Sequence, residues 1–139
     1  MNGISMIDRR PPRPSSVAIA DAPTLEHLLG DGPFLRVVRT ICPPGLRLEG
    51  EIDLCSQGLL AAALHQAVQF DSGDLHVDLT GVTFIDVGGI RTMTTAAKTL
   101  SRDGRRLLLH ATPSETRKVI HLLGWETTPG LMHCVGAMP

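Results

Sequence analysis

Between Leu46 and Asp53 apolar or small residues and charged residues take strict turns: Leu46, Leu48, Gly50 and Ile52 alternate with Arg47, Glu49, Glu51 and Asp53. A period of two predicts a strand with one face in a core and its charged face toward water or a partner. Just upstream, Leu35, Val37, Val38 and Ile41 predict a strand over Phe34–Ile41, and Pro43-Pro44-Gly45 can only turn, so a hairpin joins the two. From Ser56 to Val68 the period becomes helical, with Leu60, Leu64, Ala67 and Val68 on one stripe and Gln57 and Gln66 off it. Asp71-Ser72-Gly73-Asp74 then breaks the chain before a strand with Leu75, Val77 and Leu79 on one side and His76 and Asp78 on the other.

The pattern repeats downstream. Ile90, Met93, Ala97 and Leu100 mark the buried face of a helix over Gly88–Arg102 and leave Thr92, Thr95, Lys98 and Arg102 outside. The unbroken Leu107-Leu108-Leu109 suits a central strand, covered on both faces and paired in parallel. Thr112-Pro113-Ser114-Glu115 reads as a helix start, with Thr112 as cap and Glu115 reaching back; Gly124 ends that helix, whose buried side is Val119, Ile120 and Leu123. Leu131–Val135 supplies a short last strand. Alternating strands and helices predict an α/β fold: a mixed, mostly parallel sheet of four to five strands with helices packed mainly on one face.

The amino-terminal stretch breaks this pattern. Residues 1–21 contain Arg9-Arg10-Pro11-Pro12-Arg13-Pro14, a basic, proline-rich tail with little to bury and therefore expected to be disordered. Residues 22–33, with Leu25, Leu28 and Leu29 before Gly30, read as a short helix or linker. The domain is expected over residues 34–135, followed by a tail over residues 136–139.

A chain of 139 residues suits one such domain. With 42% apolar and 19% charged residues and a formal charge of −1, it is not a general nucleic-acid binder, and electrostatics gives no clue to its partner. No window approaches the ~20 apolar residues of a membrane span. Asp8, Arg9 and Arg10 stand where a signal peptide needs an apolar core, so the expected location is cytoplasmic, away from membranes. Cys42, Cys55 and Cys134 are odd in number and far apart, and His133-Cys134, His65, His76, His110 and His121 lack ligand spacing; neither disulfide, metal nor other cofactor is expected. Ser114, His110, Asp78 and Asp86 are types that enzymes use, but in no recognisable arrangement, so no catalytic activity is expected.

The apolar run ends at Phe84-Ile85-Asp86-Val87-Gly88-Gly89, where a strand hands over to a helix. Asp86 can cap the helix or hold the loop's shape, and Gly88 and Gly89 leave the first amides open to an anion or a partner. The segment Leu75-His76-Val77-Asp78-Leu79-Thr80-Gly81-Val82-Thr83-Phe84-Ile85-Asp86, with Gly89, Gly104-Arg105-Arg106-Leu107-Leu108-Leu109 and Leu122-Leu123-Gly124, resembles the STAS domain. Gly50-Glu51-Ile52-Asp53 is similar to the Gly-Glu-hydrophobic-Asp signature of that family's second strand. The family comprises bacterial anti-sigma factor antagonists and the cytoplasmic tails of sulfate transporters; with no membrane span, the chain resembles the first branch.

The resemblance implies binding to an anti-sigma factor, typically of kinase-type ATPase fold, and release of a sigma factor. It places the partner surface at Asp86, Val87, Gly88, Gly89, Arg91, Thr92 and Thr95, with the edge near Glu49 and Glu51 beside it. In the family this turn usually reads Asp-Ser-(Ser/Thr)-Gly, and its first Ser or Thr is phosphorylated by the partner kinase. Here Val87 has no oxygen and Gly88 no side chain, so phosphate control is expected to be absent unless Thr92, Thr94 or Thr95 takes that role. The alternative is a sensory or scaffold STAS domain that binds an anion or nucleotide at the helix start and Arg91, or assembles as a homo-oligomer or with other STAS proteins. Asp86 has the wrong sign for an anion site, and no P-loop sequence is present.

Overall fold

The computed structural model describes residues 26–31 and 35–138. These form β1 (Glu26–Asp31), β2 (Leu35–Ile41), β3 (Pro44–Ile52), α1 (Gln57–Phe70), β4 (Leu75–Ile85), α2 (Val87–Ser101), β5 (Leu107–His110), α3 (Ser114–Leu122) and β6 (Leu131–Cys134). The strands lie side by side in chain order. The pairings β1–β2 and β2–β3 are antiparallel, and the three that follow are parallel. A tight turn suffices for an antiparallel neighbour, whereas each parallel step needs a crossover, supplied in turn by α1, α2 and α3. Crossovers of one hand that step in one direction stack their helices on one face of the sheet.

One core results. Leu46, Leu48, Leu75, Val77, Leu79, Leu107 and Leu109 project from the sheet into a cluster with Leu60, Leu64 and Ala67 of α1, Ile90, Met93, Ala97 and Leu100 of α2, and Ile120 of α3. The helical stripes read from the sequence for α1 and α2 are the buried ones. On the other face, register aligns Val38, Arg47, Asp78, His110 and Cys134 in one row across β2 to β6.

Several expectations are corrected. Glu26–Asp31 is a strand, not a helix, and brings the sheet to six strands among the described residues. A segment this short cannot sustain a helix alone, while the edge of β2 offers it a ready ladder of backbone partners. The tail expected over residues 1–21 lies outside the described residues.

Only Cys42 and Pro43 turn; β3 begins at Pro44, at the position where a strand tolerates proline, and Gly45 belongs to it. A Cβ on Gly45 would stand 1.9 Å from the His76 carbonyl oxygen, so glycine there permits close approach of β4. β5 pairs in parallel on both sides, yet it is second from the edge, and Leu108 is half-buried.

The capping box expected before α3 does not form. Pro113 is the cap residue, no side chain caps the helix, and the Thr112 hydroxyl is buried without a partner. Thr116 and Ile120 are buried, Val119 is half-buried and Leu123 is exposed. Trp125, beyond the helix, packs against the core instead of Leu123, and its backbone N–H donates to the Ile120 carbonyl.

Candidate functional site

β3 and β4 end together, and two loops meet where they do. The Asp86 N–H donates to the Ile52 carbonyl at 2.9 Å, which ties the β4–α2 corner to the end of β3. Asp86 is extended (φ −86°, ψ 175°), and its Oδ1 accepts the Gly89 N–H at 2.8 Å, so the carboxylate caps α2. The neighbouring β3–α1 loop is built the same way: Asp53 Oδ1 accepts the Cys55 N–H at 2.9 Å, and the Ser56 hydroxyl donates to the Glu51 carbonyl at 2.9 Å. Both turns are therefore held by local side-chain bonds to backbone and need no ligand to keep their shape.

The other residues singled out in the sequence fall in different surroundings. Val87 is the first residue of α2 and stands 45% exposed, so the start of the helix presents an aliphatic group to solvent. Gly88 backs onto Gln57. Gly89 is a correction: it is buried, and a Cβ there would come 2.5 Å from Ile52 Cγ2, so it sets loop shape and offers no surface to a partner.

Arg91, Thr92 and Thr95 are brought together along one flank of α2, where with Ala96 and Thr99 they face Ala61, Leu64, His65, Val68 and Gln69 of α1 across a groove of about 560 Å³. The Thr92 hydroxyl donates to the Gly88 carbonyl at 2.9 Å, and Thr95 is exposed. Thr94 is buried with its hydroxyl donated to the Arg91 carbonyl, so it is not a site a kinase can reach. The Arg91 guanidinium lies 6.0 Å from the Trp125 ring centroid.

The sequence reading passed over two neighbours of the corner, Leu54 and Phe84, which are 81% and 52% exposed. A signal existed for Phe84, an aromatic group beyond the alternating part of its strand. A register shift between β3 and β4 sets it opposite Glu51.

Chemically the corner suits contact better than anion capture, because the Gly89 amide is already taken by the Asp86 carboxylate. His110 Nε2 lies 2.8 Å from His76 Nδ1, so the two rings share a hydrogen bond. Among the described residues no three His, Cys, Asp or Glu side chains group as metal ligands, and no helix is long and apolar enough to cross a membrane.

Comparison with known proteins bears on the fold. The sequence model of a family described as "Mlab, STAS domain" matches residues 36–133. An anti-sigma factor antagonist from Mycobacterium paratuberculosis superposes with a TM-score of 0.56 at 24% identity, over 80% of this chain and 88% of that one. The anti-sigma factor antagonist SpoIIAA in its unphosphorylated form gives 0.53 at 22% identity, over 65% of this chain and 77% of that one. The Bacillus cell fate determinant SpoIIAA in its phosphorylated form gives 0.51 at 22% identity, over 65% and 80%. These likenesses establish the shared fold. No curated protein matches the sequence.

Proposed function

Since the chain belongs to the STAS domain family, we propose that it is an anti-sigma factor antagonist, acting in the cytoplasm by contact and not by catalysis. It sequesters an anti-sigma factor of kinase-type ATPase fold and so frees a sigma factor for transcription. The observation that carries the reading is the exposed, unmodifiable Val87 at the first position of α2, on a corner that its own carboxylates hold in shape. In relatives with a hydroxyl there, a phosphate adds roughly two negative charges at the helix start and expels the partner. Val87 leaves this chain permanently competent to bind. Its contact surface comprises Asp86, Val87 and Gly88 with Arg91, Thr92 and Thr95, and an interface of the usual size buries about 800 Å² per partner.

The anion-binding alternative carries less weight, because Asp86 already occupies the amide that an anion would need. The test is to incubate the purified chain with the anti-sigma factor and ATP, then follow phosphate incorporation and complex formation. The wild-type protein should remain bound and unmodified, while Val87→Ser should take up phosphate and dissociate. Stoichiometric phosphate on Thr92 or Thr95 of the wild-type chain, or no complex at all, would overturn the reading.

A further inference from the structure

Three of the exposed large apolar side chains, Leu54, Phe84 and Val87, stand at the end of the molecule that carries Asp86. Leu54 lies in the β3–α1 loop and Val87 opens α2, and the two loops are joined by the Asp86–Ile52 hydrogen bond and by the packing of Gly88 on Gln57. Phe84 is one residue before the corner's end of β4, opposite Glu51. Three carboxylates flank this group: Glu51 opposite Phe84, Asp53 next to Leu54 and Asp86 next to Val87 in the chain. Arg36 is paired with Glu49 at 3.3 Å and Arg47 with Asp78 at 3.9 Å, so those charges cancel in pairs, while Arg91 lies over Trp125 and keeps its charge on the α2 side.

We propose that Leu54, Phe84 and Val87 form the apolar anchor of a docking patch for a protein that presents an apolar pocket bordered by lysine or arginine. The inference rests on the partner-binding reading above and specifies the chemistry of that partner. An apolar centre within a polar rim is the layout in which binding energy concentrates.

Charge selects the occupant. A second copy docked across a two-fold axis would bring these carboxylates against their own counterparts. An anionic bilayer or a nucleic acid would meet the same repulsion. A cationic rim on a protein is complementary. On this view Val87 contributes contact area of its own, beyond the loss of a modifiable hydroxyl.

The test is photo-crosslinking of the full chain in its native cell, with a benzophenone amino acid introduced at Leu54 or Phe84 and, as controls, at Thr95 on α2 and Ser72 at the opposite end. Positions 54 and 84 should link to one protein, at a peptide with apolar residues flanked by lysine or arginine, and position 72 should not. With that protein purified, Leu54→Ala and Phe84→Ala should each weaken binding about tenfold or more, at low and high salt alike. Both side chains are exposed, so thermal unfolding should be unchanged. Glu51→Gln should weaken binding only at low salt.

Links from Thr95 alone, no link at all, links to a second copy or to this chain's own residues 1–25 with Arg9, Arg10 and Arg13, or alanine variants that bind as wild type would each overturn the proposal. The two readings fail separately. A linked protein that is not an anti-sigma factor defeats the functional reading and leaves the patch standing, whereas an anti-sigma factor linked only through Thr95 does the reverse.

Discussion

Gly88 and Gly89 look interchangeable in the sequence, yet the folded chain treats them differently. A Cβ on Gly89 would sit 2.5 Å from Ile52 Cγ2 and 3.1 Å from Ile85 Cγ2, both in the packed core, whereas one on Gly88 would meet only the amide end of Gln57, which can swing away. Gly89→Ala should therefore cost about 1–3 kcal/mol of stability through overpacking. Gly88→Ala should stay within about 0.5 kcal/mol of wild type, as surface changes usually do. Urea unfolding of the two variants checks this, and equal losses would contradict the packing account. Asp86 was legible as a candidate cap because capping chemistry is local; the burial of Gly89 was not, because it depends on Ile52 from another strand.

At the scale of elements, α1 shows how one segment completes another. Its fourteen residues include no acidic group in the first turn and no basic group in the last, so its own sequence does nothing to neutralise its ends. Arg105, just before β5, supplies the missing cation: its guanidinium donates to the Val68, Asp71 and Gly73 carbonyls at 3.2, 2.6 and 2.9 Å. The planar fork serves three acceptors at once, a geometry that lysine cannot copy. Arg105→Ala should destabilise the fold by about 1–3 kcal/mol, and Arg105→Lys should recover only part of the loss. Faster amide exchange around residues 68–74 would locate the effect; unchanged exchange there would count against it. In the sequence Arg105 and its neighbour Arg106 form an undistinguished basic pair, and Arg106 does remain half-exposed beside Asp74 at 3.1 Å.

For the whole molecule, His76 and His133 tie global stability to pH. His76 and His110 stack with ring centroids 5.0 Å apart and share a 2.8 Å hydrogen bond, which requires one ring nitrogen without a proton. Burial, then the neighbouring His110, lowers the His76 pKa from its ordinary 6.5, against an upward pull from Asp74. Burial, then Arg117, lowers His133 in the same way, with Glu126 opposing. The unfolded chain therefore takes up protons at these sites before the folded one does. Stability should be full above pH 6.5 and fall as pH drops below that toward the lowered folded values. Thermal unfolding between about pH 7 and about pH 5 should show this decline, and His76→Asn should flatten it. A profile that is level in the wild-type chain would refute the assignment.

The sequence by itself determined what neighbouring residues encode. The periods of α1, α2 and β3, the break at Asp71–Asp74, the Asp86 corner and the family resemblance all rest on residues a few positions apart, whose mutual geometry the backbone fixes. Tertiary structure decided the rest. Glu26–Asp31 became a strand because β2 offered an edge, α3 began at Ser114 without the expected box, and a register shift between β3 and β4 placed Phe84 opposite Glu51. In each case the outcome depends on which distant backbone runs alongside, and chain order carries no local record of that.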